Sequence, residues 1–138
     1  MAHTVWYFIS GHRDLSQEDF DKYYVPAIEE VLHGDLGWDF IVGDCEGADL
    51  MAQEYLLRRG ECFTVYHTGD KPRNFVLPDS TEEELDRRGI SLRGGFNDDI
   101  EKDEAMTKDS EVDIAFIGKG RWTSGTAQNI LRRYEINI

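Results

Sequence analysis

Three short stretches carry the residues able to do chemistry: Ser10-Gly-His-Arg-Asp14, Gly43-Asp-Cys-Glu-Gly-Ala-Asp49 and Thr123-Ser-Gly-Thr-Ala-Gln-Asn-Ile130. The last reads as a polar turn opening a helix. Free N–H groups and the dipole at a helix start favour an anion, and Ser124 and Thr126 place a hydroxyl on either side of Gly125. In the first stretch, Ser10 and Gly11 let a ligand approach the backbone while His12 and Arg13 offer donors to an anion; an ordinary strand-to-helix turn is the bland alternative. In the second, Gly43 and Gly47 allow a sharp bend, and Asp44, Glu46 and Asp49 gather three carboxylates near one helix start. Capping accounts for one or two of them. Ribose hydroxyls or a Mg²⁺ ion would suit the third, but no fixed metal-ligand set is visible, so no resident cofactor is expected and Mg²⁺ is the one ion left open.

These turns need elements to hold them. Thr4–Ile9 is a nearly continuous apolar run, the pattern of a strand covered on both sheet faces. Ser16 with Asp19 resembles a capping box, and Phe20, Tyr23, Tyr24, Ala27, Ile28, Val31 and Leu32 repeat at helical spacing, with Pro26 predicting a kink or break. Trp38–Val42 is the second strand. The helix from Ala48 should turn Leu50, Met51, Tyr55 and Leu57 inward and stop at Arg58-Arg59-Gly60. Cys62–Tyr66 is the third strand, with His67 just past its end at the same sheet edge as His12. Residues 68–95 read as an irregular, lid-like insertion with a short helix near Thr81–Arg88. Lys71, Arg73 and Arg93 lie within it, and a bound phosphate should draw at least one of them. Phe96–Thr107 is a helix with an acidic outer face and with Ile100 and Met106 inward. Val112–Ile117 is the fourth strand, and Tyr134–Ile138 suits a fifth, edge strand. The fold class is therefore α/β: a single Rossmann-like three-layer domain over residues 1–138, with a mainly parallel sheet of four to five strands.

Composition limits the partners. Against 28 Asp and Glu stand 15 Lys and Arg, a net charge of −13 that repels nucleic acids and anionic membrane surfaces. Cys45 and Cys62 lack metal-type spacing, no signal-like segment opens the sequence, and no apolar run has the length of a membrane span. A cytoplasmic, small-molecule-binding protein fits, with a homo-oligomer left open.

The order of SGHRD, GDCEGAD, His67, Lys102-Asp-Glu-Ala-Met106 and SGTAQNI resembles the SLOG superfamily of Rossmann-like nucleotide-binding domains. That group includes LOG phosphoribohydrolases and DprA- and YspA-like proteins, and nucleoside 2-deoxyribosyltransferases are its structurally similar relatives. The resemblance implies a nucleotide or nucleotide-derived ligand across the carboxyl edge of the sheet, its phosphate on Ser124-Gly125-Thr126, with Asn129 nearby and Trp122 beside the base or in packing. It also singles out Asp103. The glycosidic-bond-cleaving relatives carry a glutamate one helical turn after the Gly-Thr pair. Gln128 and Asn129 stand here, and amides neither attack a sugar nor take a proton. The resemblance therefore supports a binding module. The alternative is an N-glycosidase or deoxyribosyltransferase-like enzyme acting on nucleosides or nucleoside monophosphates, with Asp103, Asp44 or Glu46 supplying the carboxylate.

Overall fold

The computed structural model describes residues 3–137. Strands β1 (Thr4–Ser10), β2 (Gly37–Val42), β3 (Phe63–Thr68), β4 (Ile90–Phe96) and β5 (Val112–Ala115) form one sheet in the order β4-β3-β2-β1-β5. Every pairing is parallel. Three strands, β2, β3 and β4, step outward in turn from β1, and the chain then returns to lay β5 on the other side of β1. The connections leaving β1 and β5 therefore diverge, and a crevice opens at their carboxyl ends.

Side-chain alternation along each strand supplies two cores. Ile9, Phe40, Val42, Phe63 and Val65 point to one face, where they meet Phe20, Tyr24, Ile28, Ala48, Ala52 and Leu56. Those partners lie on the first helical segment and on α3 (Ala48–Arg58). Phe8, Ile41 and Tyr66 point to the other face and meet Met106 of α5 (Asp99–Lys108). The last helix, α6 (Gly125–Asn137), packs beside α5 and β5. Among the described residues no helix is long and apolar enough to cross a membrane.

The first helical segment is α1 (Gln17–Asp19), a π-helical turn (Phe20–Tyr24) and α2 (Val25–Leu32). Ser16 Oγ accepts the Asp19 N–H at 3.1 Å, as the capping pattern predicts. The break expected at Pro26 appears as the π turn just before it, where the Val25 N–H reaches back to the Phe20 carbonyl. Proline supplies no N–H and crowds the preceding turn, and a widened turn relieves both. Phe20, Tyr24 and Ile28 are fully buried. Tyr23 is half exposed and stacks on Phe116 with ring centroids 4.0 Å apart.

Several expectations need correction. On α3 the buried stripe is Ala48, Ala52 and Leu56 with Asp49 and Gln53, while Leu50, Met51, Tyr55 and Leu57 are only partly covered. Small alanines bring this helix close to the sheet and shift its contact line by about one residue. Within the stretch expected to be irregular, 69–80 lacks regular structure, but α4 (Glu82–Arg88) and β4 follow. Near the end of β4 the His67 ring lies against Gly94, where a Cβ would fall 2.4 Å from His67 Cε1. On α5, Ile100 is 62% exposed and Lys102 takes the inward position at 1%. Tyr134–Asn137 continues α6 instead of forming an edge strand, since no Gly or Pro interrupts the helix after Gly125; Ile138 lies outside the described residues.

Candidate functional site

At the carboxyl ends of β1 and β5 lies a cleft of about 310 Å³. Ser10, Gly11, His12 and Arg13 form one wall, and Ser124, Gly125, Thr126 and Asn129 of the α6 start form another. Asp49 from α3 and Asp103 from α5 close it from below and behind, over an apolar floor of Phe8 and Met106. Ten of the residues singled out in the sequence thus converge on one space. Lys102, Asp99, Cys45 and Arg121 join them without having been singled out as ligand contacts.

The walls are held by atoms beneath the cleft. The Tyr24 hydroxyl donates to the Ser10 carbonyl at 2.8 Å and accepts the Phe116 N–H at 3.0 Å. One buried side chain therefore ties the tip of β1 to the residue that follows β5. Gly11 makes this approach available, because a Cβ there would lie 2.3 Å from the Tyr24 oxygen. Burial pushes the Tyr24 phenol up to about 12, so it stays protonated and keeps its donor. His12 Nε2 accepts the Gly118 N–H at 2.8 Å, a second tie between the same two connections. Gly47 adopts φ of 73° where a side chain would collide with the His12 and Arg13 carbonyls, and the neighbouring Ala48 N–H donates to the His12 carbonyl at 3.1 Å.

At the start of α6, Ser124 acts as the cap: its Oγ accepts the Ala127 N–H at 3.2 Å. The next N–H groups, on Gly125 and Thr126, have no acceptor within the helix, as at any helix start. A Cβ on Gly125 would meet nothing within 4 Å, so the space above it is open. Ser10 Oγ, buried in the cleft wall, has no hydrogen-bond partner among the described residues. Asn129 is committed through its Oδ1 to Arg132.

The carboxylates divide into two groups. Asp44 is fully buried and bound on both oxygens by Arg73, through Nε at 3.0 Å, Nη2 at 2.7 Å and the backbone N–H at 2.9 Å. Lys102 Nζ adds a contact at 3.3 Å to Asp44 and one at 3.1 Å to Asp99, and Arg73 also reaches Asp99 at 2.6 Å. Burial opposes the charge on Asp44, but Arg73 and Lys102 more than offset it and hold the carboxyl below its usual value. Arg73 lowers Asp99 strongly in the same way. Asp49 and Asp103 behave oppositely. Asp49 accepts the Cys45 N–H at 3.0 Å, yet burial pushes its carboxyl up to about 7, with Lys102 pulling the other way. Burial likewise raises Asp103 to about 6, its nearest cation being Lys102 at 3.9 Å. The cleft thus holds two carboxyl groups able to carry a proton near neutrality.

Other sequence candidates lie elsewhere. Asp44 is sealed beneath the cleft, and Glu46 is exposed on a shallow neighbouring recess with Arg73 and Asn74. Gly43 backs Asp49 from below, and His67 is buried against Gly94. Arg73 is engaged with Asp44 and Asp99, and Arg93 with Tyr66 and Asp109, so neither lines the cleft. Trp122 is 69% exposed beside it. Ligand atoms of Asp44, Cys45 and Asp99 lie within 4.8 Å of one another, but Arg73 and Lys102 already neutralise that group, and a thiol is a poor partner for Mg²⁺. Lys102 belongs to the Lys102-Asp-Glu-Ala-Met106 stretch that carries the resemblance, but its burial was not legible, because it depends on Asp44 arriving from the turn after β2 beside Asp99 and Asp103 of its own helix. No family model, no curated protein and no solved structure matches the chain.

Proposed function

We propose that the cleft binds a nucleotide or nucleotide-derived ligand with its phosphate on the start of α6. The observation carrying this reading is one cleft that combines an open helix start at Ser124-Gly125-Thr126 with the buried, unpartnered Ser10 Oγ. A helix start with free N–H groups takes an anion, and Arg13 and Arg121 add cations at the rim. Asp49 and Asp103 on the other side accept hydroxyl or amino groups, the donors that a sugar or base presents. The volume falls at the lower end of the range of about 300–1,000 Å³ typical of small-ligand sites. The likeness of the three turns to the SLOG superfamily agrees with this reading.

A second reading rests on Asp49 and Asp103 themselves. A carboxyl raised to about 6 or 7 can protonate a departing base, as an N-glycosidase or deoxyribosyltransferase-like enzyme requires. One experiment separates the two. Thermal unfolding is followed against nucleosides, their mono-, di- and triphosphates and ADP-ribose-type ligands, and each mixture is analysed by chromatography for free base. A ligand at about 100 times its dissociation constant adds about 2.7 kcal/mol. A shift without base release supports the binding module. A shift with release that Asp103→Asn abolishes supports the enzyme. The absence of any shift across the panel overturns both.

A further inference from the structure

The segment that leaves β5 and delivers Ser124 to α6 is held to the body of the protein at few points. Between Ile117 and Thr123, among the described residues, its hydrogen bonds to other parts of the chain are the Gly118 N–H to His12 Nε2 and Arg121 to the exposed Asp14 at 2.6 Å. The bonds from Arg121 N–H to the Gly118 carbonyl and from Ser124 N–H to the Arg121 carbonyl close turns within the segment itself. Only the first of the outward ties is sheltered, since His12 is 5% exposed. A ring nitrogen that accepts an N–H must carry no proton, so the hydrogen of His12 sits on Nδ1 and the imidazole is neutral.

We propose that His12 is the positioning residue of the cleft, and that it works by proton: neutral, it fastens the segment carrying the α6 start to the tip of β1, and protonated, it releases it. A proton on Nε2 would set two N–H groups head to head across 2.8 Å and replace an attraction with a repulsion. Burial lowers the His12 pKa below the ordinary 6.5; Arg121 acts in the same direction and Asp14 opposes it. The fastened state therefore holds at neutral pH and gives way as the pH falls through the folded His12 value. The charged groups acting on the ring are Arg121 from the segment and Asp14 from the turn after β1. From α3, it is the backbone of Gly47 and Ala48 that meets His12, at its carbonyl. Asp49 and Asp103 line the same cleft and titrate near 7 and 6, so the pH dependence of ligand affinity would mix three groups. The tie itself must be observed.

The test uses the full chain labelled with ¹⁵N and no ligand, so its outcome is independent of what the cleft binds. His12 ring shifts, Gly118 amide exchange and the Trp122 indole signal are followed from about pH 8 to about pH 5. At the upper end His12 should be protonated on Nδ1 alone. As the ring titrates, Gly118 protection, corrected for intrinsic exchange, should fall on the order of tenfold, and the Trp122 signal should move with the same midpoint. In His12→Gln, whose side-chain oxygen accepts an N–H at any pH, protection should persist at the acid end. A proton on Nε2 at pH about 8, Gly118 protection unmoved through the His12 titration, or the same acid loss in His12→Gln would each overturn the proposal. If His12→Gln does not fold, the wild-type titration decides alone.

Discussion

Two carboxylates from the same turn after β2 meet opposite fates. Asp44 is enclosed by Arg73 and Lys102 and spends its charge fastening the irregular 69–80 connection to the sheet. That connection is further pinned where Asn74 donates to the Asp44 carbonyl and Gln53 bonds both Val76 N–H and the Asn74 carbonyl. Asp49 is the second residue of α3, and burial leaves it without comparable compensation. On one side of Lys102 the charges are closed among themselves; on the other they are open. The difference teaches that perturbed carboxyls mark a site only where nothing in the chain satisfies them.

The largest expected effect comes from opening the closed side. Asp44→Ala leaves Lys102 buried with fewer partners and frees the Arg73 fork, which should destabilise by about 3–5 kcal/mol in denaturant unfolding. A loss under about 1 kcal/mol would show that the network contributes little and would erase the contrast. Next comes the tie beneath the open side. Tyr24→Phe removes the donor to the Ser10 carbonyl and the acceptor of the Phe116 N–H, at about 2–3 kcal/mol for two buried bonds. Its cleft should also lose protection at the amide of Phe116 in hydrogen exchange.

Asp49→Asn should act in the other direction. The folded carboxyl titrates at about 7 against an ordinary 3.8, so between these values the folded protein binds more protons than the unfolded one. Stability is then lost as pH rises through that window, and the loss is complete above it. The amide avoids it while still accepting the Cys45 N–H, so the variant should gain up to about 4 kcal/mol at alkaline pH, about 1.4 for each pH unit of that window, and nothing at acid pH, read from thermal midpoints at both ends. A destabilised variant at alkaline pH would place Asp49 with Asp44 on the closed side. The smallest effect on stability belongs to Gly125→Asp. Its side chain enters open space at a helix start, so stability should change by no more than about 0.5 kcal/mol, while any ligand-dependent thermal shift that needs the phosphate should vanish.

β1, β2 and β3 were legible in the sequence because a strand covered on both faces is largely apolar, and β5, an edge strand in which only Ile114 is buried, was legible from the apolar run that Ile114 opens. β4 was not. It lies at the sheet edge, and along it only Ile90 is buried, so Ser91, Arg93 and the glycine pair leave no apolar pattern to read. The turns at Ser10–Arg13 and Ser124–Thr126 were legible as cleft candidates because glycine at a strand exit or helix start leaves the backbone open to close approach. The acidic turn was ambiguous for a geometric reason: which of Asp44, Glu46 and Asp49 faces the cleft depends on the path through Gly47 and on the phase of α3. Lys102 was hidden by the opposite effect. Apolar periodicity favoured Ile100, whereas Asp44 from the turn after β2, together with Asp99 of the same helix, made the buried position ionic.

The π turn at Phe20–Tyr24 makes chain length in this helix a functional variable. Each residue of a helix turns the next by about 100°, so deleting one residue between Asp19 and Val25 would restore regular helical winding while swinging position 24 away from both strand tips. A shortened chain would keep its aromatic residues, its capping serine and its sheet. It would lose the alignment between the exits of β1 and β5, and a ligand that needs both would meet them out of step.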